Sequence, residues 1–232
     1  MNGAKLRARL AAGEAISMFT PHHTHSGLSA RLVELGADAV FVDCEHGTWS
    51  FEDVREVGQI VRGAGGAAIV RPQSHERPLI IRYLNAGADG IMVPMISNAD
   101  EARAVVDAVR YAIPADHEKR LVIAMIETVD AIEELDEIVK VEGIDVFFIG
   151  PGDLSQDMGY PPAPPFGDPR PDIVMDKVAV AVDKIRAAGK IPGTLATLDE
   201  IPHWRSNGVQ FFYVHSDPFL RRGLAAVKSA LA

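Results

Sequence analysis

The chain has 232 residues, 47% of them hydrophobic, enough for one large core that buries about 70–75% of the surface of the unfolded chain. Its 23 basic and 32 acidic residues leave a net charge of −9, with no basic cluster and no arginine–aromatic stripe, which argues against nucleic acid and anionic membranes as partners. One cysteine precludes an internal disulfide, no apolar run approaches the ~20 residues of a membrane span, and the first residues carry no charged-then-apolar leader, so a cytoplasmic protein is expected.

Along the chain, short apolar runs end in Gly, Pro, Asp or Thr and give way to segments of helical periodicity, the mark of parallel strands buried on both faces. They are AISMF (15–19), DAVFVD (38–43), AAIVRP (67–72), DGIMVP (89–94), LVIAMIE (121–127), IDVFFIG (144–150), KIPGTL (190–195) and VQFFYV (209–214). Between the fourth and fifth runs, residues 98–112 place Ala102, Val105, Val106 and Val109 on one helical face, with Asn98 as N-cap and Glu101 as its capping-box partner. The phrases LGADAV and AGADGI each close a helix with glycine and restart a strand. Six prolines in YPPAPPFGDPRPD (160–172) rule out a helix there and predict a stiff loop near the mouth of the fold, where the strands end. Eight βα units in a chain of this size predict an α/β fold of the TIM (β/α)8 type, a single domain over 1–232 with its active site at the C-terminal strand ends.

Those ends carry a chemical set. The second strand finishes in Asp43, Cys44, Glu45 and His46, the third in Arg71, the fifth in Glu127, and the sixth runs through Gly150 and Gly152 to Asp153. Taken alone, Asp153 reads as a helix N-cap and Glu127 as an acid favoured by a helix dipole. Together on successive strands, they offer two hard oxygen ligands to a divalent ion and leave positions open for water and substrate. Arg71 alone reads as a rim charge, but in a metal-bearing mouth its planar fork suits a keto or carboxylate oxygen. With Asp43 three residues before it, His46 reads as an imidazole oriented by a carboxylate, a general base near neutral pH. Cys44 reads as a small core thiol rather than a nucleophile.

These residues resemble the HpcH/HpaI aldolases, metal-dependent enzymes that cleave 2-keto-4-hydroxy acids to pyruvate and an aldehyde. FVDCEH resembles the family's IDGEH strand end, VRP its arginine strand and MVPMISNADEAR its fourth strand and helix; IETVDAIEELDEIVKVEGIDVFFIGPGDLSQDMGY is the most specific stretch. The resemblance implies a barrel of the phosphoenolpyruvate/pyruvate-binding type with Mg²⁺ or Mn²⁺, or alternatively Co²⁺, on Glu127 and Asp153. It implies that Arg71 steadies the enolate oxygen, that the N–H groups of Gly152 and Asp153 receive the keto-acid carboxylate, that His46 oriented by Asp43 shuttles the hydroxyl proton, and that Glu45 supports them from behind. It also implies a homo-oligomer, a hexamer.

Three departures fall on the aldehyde side. The family's glycine-rich loop before the fifth strand is missing, Met125 stands where glutamine is common, and His215 stands where a small residue is usual, its imidazole expected to point into the mouth. An open aldehyde side is expected to accept several small or hydroxylated aldehydes with modest discrimination. Other chemistries fit less well. A Schiff-base aldolase needs a lysine at a strand's C-terminal end, whereas Lys119 and Lys190 lie at strand beginnings. An amidohydrolase-like metal hydrolase would use HHTH (22–25), with His23 and His25 as ligands, but lacks the lysine and further histidines it needs; those two histidines otherwise line the rim or cap the first helix. A non-catalytic barrel that binds a keto acid is the remaining alternative.

Overall fold

The computed structural model describes residues 2–162 and 170–232. In chain order it runs α1 (Asn2–Ala11), β1 (Ile16–Thr20), α2 (Ser26–Glu34), β2 (Ala39–Asp43), α3 (Phe51–Gly63), β3 (Ala67–Arg71), α4 (Arg77–Ala86) and β4 (Gly90–Val93). There follow α5 (Ala99–Ala112), a 3-10 turn at His117–Lys119, β5 (Leu121–Ile126), α6 (Val129–Glu133), α7 (Leu135–Ile138) and β6 (Val146–Ile149). The last third holds α8 (Pro151–Asp157), α9 (Asp172–Ala187), β7 (Pro192–Leu195), α10 (Ile201–Ser206), β8 (Phe211–His215) and α11 (Asp217–Ala230). All eight expected strands form. They pair in parallel in sequence order and close through β1 and β8, from Ile16 opposite Phe211 to Thr20 opposite His215. This is the expected TIM barrel.

Alternation along each strand makes two apolar layers. Ile16, Met18, Ala39, Phe41, Ile69, Met92, Ile123, Met125, Val146 and Phe148 fill the barrel interior. Val40, Val42, Val70, Ile91, Val122, Ile126 and Phe147 face outward against the helices. The 98–112 segment folds as read: Ala102, Val105, Val106 and Val109 are buried, and the Asn98 side-chain oxygen accepts from the Glu101 N–H at 2.9 Å. Its capping box is displaced by one residue, because the Glu101 carboxylate accepts from the N–H of Ser97 rather than of Asn98. The proline-rich loop falls largely outside the described residues; α9 starts directly after Pro171.

The N-terminal end of the barrel is tied by a repeated device. Asp38, Asp89 and Asp145 each stand just before an even-numbered strand, and each accepts from a backbone N–H of the strand before it: Ser17 at 2.8 Å, Ala68 at 3.1 Å and Val122 at 2.7 Å. Each is also held by an arginine, Arg9, Arg62 and Arg7 respectively. Two of these arginines belong to α1, a helix the sequence reading did not anticipate, which also inserts Leu6 and Leu10 into the interior layer. A cleft of about 590 Å³ opens at this end beside Ala4, Arg7, Val109, Arg110 and His117, away from the strand ends that carry the chemistry. At the other extreme, α11 has no buried residue. Among the described residues, no helix is long and apolar enough to cross a membrane.

Candidate active site

The pleat decides which strand-end side chains meet. Ala39 and Phe41 point to the barrel axis, so Asp43 does too; Ala67 and Ile69 set Arg71 inward; Leu121, Ile123 and Met125 set Glu127 inward; Val146 and Phe148 do the same for Gly150. Arg71 is therefore no rim charge: it is 8% exposed and directly opposite Asp43 in the β2–β3 register. Asp43 accepts from Arg71 Nε at 2.9 Å and Nη2 at 2.7 Å, a bidentate pair, while Arg71 Nη1 lies 3.0 Å from Glu45 Oε2. The guanidinium also sits over the Phe41 ring, 5.3 Å from its centroid.

Two carboxylates thus fix the arginine's fork. Burial alone would raise Asp43 and lower Arg71, but their mutual hydrogen bonds and charge outweigh it, so Asp43 sits below the usual carboxylate range and Arg71 above the usual guanidinium one. Glu45 is raised by burial, against the pull of Arg71.

One expected contact is absent. Asp43 does not orient the His46 ring, because its oxygens are taken by Arg71 and by the backbone N–H groups of Glu45 and His46, which turn the chain back over the carboxylate. That turn carries the imidazole outward, and its carboxylate neighbour is Glu45, 3.8 Å from His46 Nε2. Cys44 is buried, its thiol pushed up to about 11 by burial, which fits the core reading.

Glu127 is the most constrained group of the set. It is 1% exposed; Oε1 accepts from the N–H of Met95 at 2.8 Å, and Oε2 is buried with no hydrogen-bond partner among the described residues. Burial pushes it up to about 8, with the negative charge of Asp153 adding to the shift and Arg71 opposing it. Met95 reaches this position with φ of 56°, a left-handed conformation uncommon for a residue with a Cβ. Gly150 makes the space, since a Cβ there would lie 2.5 Å from Glu127 Oε2. Asp153 is not an N-cap: Gly150 occupies that position of α8, and Asp153 lies within the first turn, half-buried.

The hydrolase alternative finds no support in HHTH, where His25 caps α2, its Nδ1 accepting from the Leu28 N–H at 3.2 Å. The sequence reading missed His22, which pairs with His215 across the β1–β8 junction at 2.8 Å between His22 Nε2 and His215 Nδ1. The parity of β8 signals half of this contact, because Phe211 and Tyr213 aim His215 inward as expected. Nothing in the sequence marks His22 over its neighbour His23.

A parallel barrel with an inward arginine clamped by carboxylates, facing an unpartnered buried acid, is the setting of a keto-acid lyase. The chain belongs to the HpcH/HpaI aldolase/citrate lyase family, which it matches over residues 15–211. It is 31% identical over 215 residues to a 2-keto-3-deoxy-L-rhamnonate aldolase of Escherichia coli O157:H7, covering 79% of each chain. It is 32% identical over 220 residues to a 4-hydroxy-2-oxovalerate aldolase of Rhodococcus jostii (strain RHA1), covering 85% of this chain and 82% of the other. The crystal structure of a family protein from Burkholderia cenocepacia J2315 superposes over 99% of this chain and 100% of that one, with a TM-score of 0.88 at 23% identity, a likeness of fold.

Proposed function

We propose that residues 1–232 act as one barrel domain that cleaves a 2-keto-4-hydroxy acid reversibly to pyruvate, or a close 2-keto acid, and an aldehyde, with a divalent metal ion. The observation that carries this reading is Glu127 Oε2, a buried carboxylate oxygen without a partner beside a second acid, Asp153. Asp43, Glu45 and Glu127 act electrostatically on Arg71, and Asp153 acts on Glu45 and Glu127. That excess of hard oxygen and negative charge fits Mg²⁺ or Mn²⁺, with Co²⁺ a further candidate, held by Glu127 and Asp153. When bound, the ion supplies Lewis-acid stabilisation of a developing enolate, worth several kcal/mol.

The chain's own groups do the rest. Arg71, its fork fixed by Asp43 and Glu45, presents positive charge to the C2 oxygen as the enolate develops. The backbone N–H groups of Gly152 and Asp153, in the first turn of α8, receive the keto-acid carboxylate. His46, on the exposed rim beside Glu45, accepts the C4 hydroxyl proton as the C3–C4 bond breaks, and the bonding pair passes to the C2 oxygen. A proton from solvent at C3 then completes pyruvate, and His46 returns its proton to solvent. In this account Asp43 is a positioning residue for Arg71, and Glu45 positions both Arg71 and His46.

The relatives named above are aldolases, which leaves the non-catalytic barrel without support. The buried single thiol is consistent with a reducing, cytoplasmic setting. Leu220, Leu224, Val227 and Leu231 form an exposed apolar stripe on and just after α11, which supports a homo-oligomer, a hexamer by family resemblance. The test is pyruvate release from a 4-hydroxy-2-oxo acid. EDTA should abolish it and Mg²⁺, Mn²⁺ or Co²⁺ restore it, whereas full activity after chelation and dialysis would refute the metal.

A further inference from the structure

Arg71 has carboxylates on both sides of its fork; a second arginine at the mouth does not. Arg170 lies in the link from α8 to α9, and the groups that act on it or feel it are Glu200, between β7 and α10, and His215, the last residue of β8. It therefore stands at the β7–β8 sector of the mouth. The side chain is half-buried, and its Nε–H is buried without a hydrogen-bond partner among the described residues. Pro171 follows it and restricts its backbone to the extended region.

The charge of Arg170 is poorly compensated. Burial holds the guanidinium below its usual range, and Glu200 opposes that shift through space only, without a hydrogen bond to it. Glu200 Oε2 is already spent on Thr197, accepting from its N–H at 2.8 Å and from its hydroxyl at 2.9 Å. Arg170 nevertheless stays a cation at neutral pH. The neighbouring imidazole adds no charge: burial first, then His22 and Arg170, push His215 down to about 4, against the opposing pull of Asp217.

This corner opens on the site of the chemistry. His215 lies against Tyr213 with centroids at 4.9 Å, Tyr213 against Phe41 at 4.7 Å, and Arg71 sits over Phe41 at 5.3 Å. Asp43 and Arg71 act electrostatically on Tyr213, so both ends of the run of rings share one mouth. A buried guanidinium N–H without an acceptor calls for an anion, and a carboxylate matches its planar fork. A single negative charge suits a corner that already holds Glu200 and Asp217 better than the two charges of a phosphate. An alkyl tail would leave the guanidinium as it is.

We propose that Arg170 receives a carboxylate on the aldehyde half of the substrate, so that the enzyme prefers aldehydes ending in a carboxylate over uncharged ones of the same length. This rests on the aldolase reading, and it replaces the modest discrimination expected from the missing loop with a specific preference.

Succinic semialdehyde and butanal differ by a carboxylate against a methyl group at the chain end. Each is offered with pyruvate to the Mn²⁺-loaded full chain, and kcat/KM is compared. The wild type should favour the semialdehyde by about tenfold or more. Arg170→Met, which removes the charge from an unbranched side chain, should lower the semialdehyde-to-butanal ratio about ten- to hundredfold, the effect of losing hydrogen bonds to a charged group. Arg170→Lys, which keeps the charge without the fork, should retain part of the preference. A merely structural role would lower both aldehydes together and leave the ratio intact. A wild type that does not prefer the semialdehyde, an unchanged ratio in Arg170→Met, or a ratio in Arg170→Lys no higher than in Arg170→Met would overturn the proposal. Deuterium exchange into the pyruvate methyl group by the wild type separates the two failures: exchange without the preference removes the carboxylate subsite alone, and no exchange removes the aldolase reading beneath it.

Discussion

Glu127 concentrates the energetics of the site in one side chain. Buried, with one oxygen unpartnered and other acids acting on it, it rises from 4.5 to about 8, so in metal-free protein the folded state holds a proton that the unfolded state releases. Stability from this group is fully present below pH 4.5 and is lost as pH rises through about 8. Glu127→Gln, which cannot ionise, should therefore stabilise the protein in EDTA by on the order of 1–3 kcal/mol at pH 8 and by little at pH 4.5. Thermal melts across that range check the trend, and a gain that does not grow with pH would contradict it. Glu127 and Arg71 stood out in the sequence by their place at strand ends, and the parity of their strands in the structure turns both inward. The partner of His46 was not legible, because the turn after Asp43 folds two backbone N–H groups back onto the carboxylate and swings the ring toward Glu45.

The elements matter through how closely β5 and β6 approach. Gly150 follows β6 on the inward side, where any Cβ would press on the Glu127 carboxylate at 2.5 Å and on its Cβ at 3.0 Å. Gly150→Ala should cost about 2 kcal/mol and weaken metal affinity, because the acid must move off its backbone donor at Met95. Isothermal titration with Mn²⁺ beside a denaturant melt checks both, and wild-type affinity in the variant would show that the close approach is not needed. The eight strands were legible because a parallel strand buried on both faces is a compact apolar run that breaks at its ends. Helix α1 was not, because what holds it is remote in sequence: Arg7 reaches Asp145, Arg9 reaches Asp38, and only Leu6 and Leu10 enter the barrel.

At the scale of the molecule, α11 has no buried residue, and Leu220 and Leu224 on it are each 64% exposed. The homo-oligomer proposed above would cover this stripe with a second copy. Leu220→Glu with Leu224→Glu should convert an oligomer into monomers by light scattering, and a wild type that is already monomeric would contradict this. The central claim, that the mouth stabilises the enolate of a keto acid, is tested without knowing the aldehyde. The folded, Mn²⁺-loaded protein in D₂O with pyruvate alone should exchange the methyl protons well above the buffer rate, as followed by proton NMR. Glu127→Gln, Asp153→Asn and Arg71→Ala should each suppress that exchange. No metal-dependent exchange above buffer in folded, metal-loaded protein would contradict the account.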